Sequence, residues 1–227
     1  GYSGVCVYHY NSDRNVVEEK VFIPSTESYE FLKEDLGTLT YVNKNNQLFL
    51  LFAQKLYQVN IEEGTADVLE EGIKQNCFVV SDTKAHAAWL ITSGDDKGKI
   101  REIEFDSLKT RDIVPESGQI LRALGFMNED LIYGILDKSD ILKDEEGHKS
   151  VGIRTLRIED FDGNVKKEYQ KDGLYITDIS VGDTLIEFEL SAKSGDTSYV
   201  AQKKDTIMNN KKAAANTVRT ELVSASR

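Results

Sequence analysis

Cysteine is nearly missing from this chain: Cys6 and Cys77 are the two thiols among 227 residues, and they form no Cys-x-x-Cys pair. That excludes a dense disulfide framework and makes two separate core thiols the simpler expectation, with the compartment left almost undecided. Positive charge is short as well. Twenty-eight Lys and Arg stand against 39 Asp and Glu, a net charge of −11, so a phosphate backbone or an anionic lipid surface is repelled on average and no nucleic-acid partner is expected.

Long hydrophobic runs are absent too. The longest uninterrupted one, residues 48–53, has six residues, against the roughly twenty that a membrane-crossing helix needs, so no transmembrane segment is expected. Gly1 opens the chain with no basic-then-apolar leader behind it, which points to a longer precursor that was processed or trimmed. The acidic, cysteine-poor, β-rich character resembles that of exported, periplasmic or bacterial cell-surface domains, and such a location is the expectation.

The motifs of familiar chemistry are missing in turn. His9, His86 and His148 have no i,i+4 pairing of the kind a helical zinc site uses. There is no Gly-x-Gly-x-x-Gly, no phosphate loop ending in Gly-Lys-Ser or Gly-Lys-Thr, and no Gly-x-Ser-x-Gly elbow. Residues 93–99 have the small residues of a flexible turn, but Asp95 and Asp96 oppose phosphate. No catalytic, cofactor-binding or metal-binding residue is therefore assigned, and His86, on an alternating strand, reads as a packed side chain.

What the sequence does have is 40% hydrophobic residues, enough for a substantial core, distributed in short alternating runs. Asn, Asp, Gly, Ser or Lys interrupt them every few residues, which is the grammar of strands and turns. A first unit spans residues 36–70, with Leu36-Gly37-Thr38-Leu39-Thr40-Tyr41-Val42 as its opening strand and turns at 43–46 and 62–65. Others span 77–114, 120–169 and 173–208, the last ending in a weaker pair of strands at 198–202 and 205–208. Residues 1–23 read as a half unit, the last two strands of one whose first two are absent. In the second unit Ala85, Ala87, Trp89 and Ile91 share one face, which makes Trp89 a core residue.

Placing Leu48, His86, Leu131 and Leu185 in register gives intervals near the 40 to 50 residues expected of four-stranded blades. On this spacing the chain resembles β-propeller repeat proteins in architecture. It lacks the Gly-His and Trp-Asp markers of the WD40 class and repeated calcium loops, and residues 159–164 read as a hairpin turn despite their acidity. The resemblance implies an all-β array of four-stranded antiparallel units forming one domain over 1–227, incomplete or part of a larger ring; a β-sandwich is the alternative. The terminal segment 209–227 reads as a short helix with a returning strand, or as the start of another unit.

One connection is much longer than its counterparts. Residues 137–150 part the second and third strands of the third unit, and loops on rigid sheets can display recognition groups. Ile141, Leu142 and His148 are the candidate contacts there, for a protein or glycan partner. The functional expectation is a non-catalytic interaction or scaffold module. The alternative is a carbohydrate-active enzyme or glycan-binding module drawing on rim carboxylates such as Asp82, Asp130 and Asp183 and on dispersed tyrosines.

Overall fold

A computed structural model describes residues 3–209. The expectation for the terminal segment falls almost wholly outside them.

The chain is all-β, a propeller-like array of antiparallel sheets. β1 (Gly4–Asn11) and β2 (Val16–Pro24) form a two-stranded sheet, followed by α1 (Tyr29–Thr38). The first four-stranded blade runs in order through β3 (Thr40–Val42), β4 (Gln47–Phe52), β5 (Lys55–Asn60) and β6 (Thr65–Glu71). The second does the same through β7 (Phe78–Val80), β8 (His86–Leu90), β9 (Ile100–Glu104) and β10 (Lys109–Ile113). In the third, β11 (Gln119–Met127) and β12 (Asp130–Asp137) are separated in the chain from β15 (Thr155–Glu159) and β16 (Val165–Gln170). Between them lies a hairpin of β13 (Ile141–Lys143) and β14 (Lys149–Val151). The last sheet has three strands, β17 (Tyr175–Val181), β18 (Leu185–Ser194) and β19 (Ser198–Met208).

Strand periodicity explains why the sheets stack. Side chains on a strand alternate between faces, and here both faces of the inner strands are apolar. On β4, Leu48, Leu50 and Phe52 pack with Val7 and Ile23 of the two-stranded sheet, whereas Phe49 and Leu51 pack with Phe78, Trp89 and Phe105 of the second blade. On β12, Leu131 and Tyr133 join Ala88 and Ile100 behind them, and Ile132 and Leu136 join Ile186, Phe188 and Leu190 ahead. Each apolar cluster is thus a seam between neighbouring sheets. Burying one such side chain contributes about 1.5–3 kcal/mol, so no blade can hide its faces without its neighbours.

Two local expectations are corrected. Residues 36–38 close α1 instead of opening a strand: Ser28 caps the helix by accepting from the Phe31 N–H, and Leu32 and Leu36, one turn apart, both pack into the first seam. The helical spacing of those leucines outweighs the short alternation that follows. The two final strands expected at 198–202 and 205–208 are one, since a bulge at Leu190/Ser191 absorbs the mismatch and lets β19 pair with β18 along its whole length.

Candidate functional site

The long connection leaves β12 through a 3-10 turn, Lys138–Asp140, capped by Asp137, whose Oδ1 accepts from the Ser139 N–H at 2.8 Å. The turn carries Asp140 into the interior, where none of its surface is exposed. There its carboxylate accepts from Arg154 Nε and Nη2, both at 2.9 Å, and pairs with Lys193 Nζ at 2.8 Å. Burial opposes the charged form, but the hydrogen bonds from Arg154 and Lys193 outweigh it and hold Asp140 below the usual aspartate range.

The last sheet grips the same turn through the backbone. Tyr199 donates its hydroxyl to the Asp140 carbonyl at 2.6 Å, and Lys193 donates to the Ser139 carbonyl at 3.2 Å. Burial first, and then the Asp140 charge, push the Tyr199 hydroxyl up to about 12, so it stays a proton donor at neutral pH. Where the hairpin rejoins the third blade, Gly152 fits against Tyr175 and Tyr199 so closely that an added Cβ would lie 2.7 Å from each of them. The hairpin is therefore held at its root by an ion cluster and two tyrosines.

Of the three candidate contact residues, Leu142 is buried, Ile141 is half-buried and His148 is exposed. His148 Nδ1 lies 3.1 Å from Asp144 Oδ2, and Asp144 Oδ1 accepts from the backbone N–H groups of Glu146 and His148, so one aspartate shapes the hairpin tip. Leu142 faces into the protein, leaving Ile141 and His148 with surface to offer.

Between this hairpin and the last sheet runs a groove of about 560 Å³. Lys149 and Ser150 border it on β14; Thr177, Glu189 and Ser191 form its other wall, and Tyr199 lies at its end toward the anchored turn. The Thr177 and Ser191 hydroxyls are 2.7 Å apart. Among the described residues, neither the Lys149 ammonium nor the Glu189 carboxylate belongs to an ion pair. β14 pairs with β13 on one side only, and in an antiparallel pair alternate residues turn their N–H and C=O groups away from the partner strand.

A second cavity, about 280 Å³ beside Trp89 and Arg101, differs in kind. Its guanidinium is already engaged by Glu70, Asp96 and Asp112. Trp89 itself is core, 3% exposed. The acidic residues 159–164 form a hairpin turn: Asp160 accepts from the Asp162 and Asn164 N–H groups and pairs with Lys166, while Glu159 turns inward to Arg111 and Tyr133.

Asp82 and Asp183 stand at strand-connecting turns, and Asp130 opens β12. Burial, with the Asp183 and Glu129 charges, raises the Asp82 carboxyl above its usual range.

Sequence reasoning missed Thr177, Glu189 and Ser191. A signal for Glu189 is present in residues 186–190, where Ile186, Phe188 and Leu190 alternate with Glu187 and Glu189, so the charged face of β18 is readable. The bulges at Ile176/Asp178 and Leu190/Ser191 shift the register beside Thr177 and Ser191 and have no clear mark in the sequence.

No family model matches the chain, and no curated protein matches it. Solved structures do show similarity. The tricorn protease aligns at TM-score 0.39 and 13% identity, over 82% of this chain and 21% of that one. An acylaminoacyl peptidase of Pyrococcus horikoshii aligns at 0.39 and 11%, over 78% and 33%. Dipeptidyl peptidase 4 of Porphyromonas gingivalis aligns at 0.31 and 8%, over 86% and 41%. The chain thus spans between about a fifth and two fifths of these structures, and likenesses this distant assign no activity. One expectation is corrected. The non-catalytic interaction or scaffold role is not confirmed, and the findings favour neither it nor its carbohydrate-directed alternative.

Proposed function

We propose that this chain binds short peptides in the groove between the β13–β14 hairpin and the last sheet, holding both charged ends of the ligand. The observation that carries the reading is that an ammonium, Lys149, and a carboxylate, Glu189, neither in an ion pair among the described residues, stand on opposite walls of one groove. A peptide is the simplest ligand with the complementary pair, a terminal ammonium for Glu189 and a terminal carboxylate for Lys149. Its amides match the Ser150, Thr177 and Ser191 hydroxyls and the open edge of β14.

Pre-organisation supports the same reading. The Asp140 cluster fixes one wall against the other, so little ordering free energy is lost when a ligand arrives. Electrostatics favour a dipolar ligand over a simple anion, because the chain as a whole carries −11.

Calorimetric titration with a panel of two- to four-residue peptides tests this. Saturable binding is expected, lost when the peptide termini are acetylated and amidated and weakened about tenfold or more by Glu189→Gln, since a charge-assisted hydrogen bond contributes roughly 1.5–3 kcal/mol. Absence of heat across the panel, with the fold intact by circular dichroism, contradicts it.

A further inference from the structure

The seam between the second and third blades contains a buried polar cluster that the groove does not use. In the strand register His86 occupies the place filled by Gln47 in the first blade: the Ser81 N–H donates to the His86 carbonyl as the Asn43 N–H does to that of Gln47, and His86 pairs with Glu104 as Gln47 does with Asn60. An imidazole thus stands where the first blade puts an amide side chain. It is 9% exposed, with its ring 5.5 Å from that of Phe161 and 6.4 Å from that of Phe126, both contributed by the third blade.

Glu102, wholly buried on β9, lies beside it. One carboxylate oxygen accepts from Arg111 Nε at 2.6 Å. The other, Oε1, lies 3.7 Å from His86 Nδ1, and neither of these two atoms has a hydrogen-bond partner. Arg111 in turn crosses the seam to Glu159, which also accepts from the Tyr133 hydroxyl at 2.7 Å.

With the neutral Nε2–H tautomer, an unprotonated Nδ1 would face a carboxylate oxygen that has no donor, an expensive arrangement in a dry seam. The Nδ1–H tautomer and the imidazolium both point a proton at that oxygen, and the imidazolium adds a positive charge opposite the buried carboxylate.

We propose that His86 and Glu102 form a pH-operated clasp that tightens the seam between the second and third blades in mild acid. The charges facing His86 favour its closed, protonated form. Glu102 and Glu104 approach from β9, and Glu129 from the β11–β12 turn; Arg111 is the cation on the other side, and it is already shared by Glu102 and Glu159. Burial opposes protonation, but the side-chain interaction with Glu102 and the Glu129, Glu102 and Glu104 charges outweigh it and raise His86 above the ordinary histidine value.

The sign follows from linkage. A group whose pKa is higher in the folded state contributes stability that is fully present below its unfolded value, about 6.5, and that disappears as pH rises through the folded value. Among the other histidines, His148 lies at the exposed hairpin tip and His9 on the exposed part of β1, so neither touches this seam.

Urea unfolding at a series of pH values from about 5.5 to 8.5 tests the clasp, comparing the wild type with His86→Leu, which has no group to titrate. The wild type is expected to lose midpoint urea concentration as pH rises across this window, and the variant to stay flat apart from the contribution of the two remaining histidines. Equal slopes overturn the proposal. Should the variant fail to fold, the His86 Cε1–H titration followed by NMR in the wild type decides: a midpoint above about 6.5 supports the clasp, and one at or below it refutes it.

Discussion

Arg154 reaches back across 14 residues to hold Asp140 with two hydrogen bonds of 2.9 Å, closing the chain around the hairpin that borders the groove. Because Asp140 has no exposed surface, removing the guanidinium leaves a buried carboxylate with Lys193 alone. Breaking a buried pair costs about 3–5 kcal/mol and an exposed one under about 1; with Arg154 43% exposed, Arg154→Met is expected to fall between, near 2 kcal/mol. Urea denaturation followed by circular dichroism gives the value.

Acid should loosen the same anchor. The Asp140 pKa is depressed in the fold, so its contribution is fully present above the unfolded value, about 3.9, and is lost as pH falls through the folded value. Melting temperatures recorded from about pH 5 down to 2.5 are expected to drop more steeply for the wild type than for Asp140→Asn, which has no charge to lose. Parallel curves would place the acid sensitivity elsewhere.

Gly152→Ala probes the packing beside the groove. The new methyl would sit 2.7 Å from Tyr175 Cβ and from the Tyr199 ring, and forcing an extra methyl into a filled site costs about 1–3 kcal/mol. Tyr175 and Tyr199 must both give way, and displacing Tyr199 takes the donor from the Asp140 carbonyl and widens the groove. Weaker peptide binding together with reduced stability is expected, while Gly72→Ala is a poor control because of its positive φ. Gly37, with open space around it and an ordinary helical backbone, is the proper comparison.

Trp89→Ala tests the stacked-sheet core. The indole is 3% exposed, with its ring 6.1 Å from Phe78 across adjacent strands, in the seam between the first and second blades. A loss of about 3–5 kcal/mol is expected on chemical denaturation, as for other large aromatic truncations. A loss below about 1 kcal/mol would mean that the seam carries little of the fold's stability.

The fold class was legible because its cause is written in every strand. Residues such as Phe49 and Leu50, or Leu131 and Ile132, are adjacent in sequence and buried on opposite faces, and apolar side chains on both faces demand sheets on both sides. The helix at Tyr29–Thr38 was harder to read, because its single buried residue, Leu32, gives a weak amphipathic signal. The expected contact residues lie on the hairpin that borders the proposed groove. Ile141 and Leu142 were chosen for apolarity, whereas burial takes Leu142 away and the free charges lie at Lys149 and Glu189. Pairing Asp140 with Arg154 and Lys193 depends on where a three-residue turn places a side chain, and nothing in residue types or spacing announces that. His86 was read as packed, and it is, but its partner Glu102 could be identified only once the β8–β9 register was known.

The groove is tested most directly by following backbone amide signals by NMR while an unblocked tripeptide is titrated in. The account predicts saturable shifts concentrated at residues 144–152, 177 and 189–201, abolished in Lys149→Gln/Glu189→Gln. Shifts centred instead beside Trp89 and Arg101, or no shifts at millimolar peptide, would contradict it.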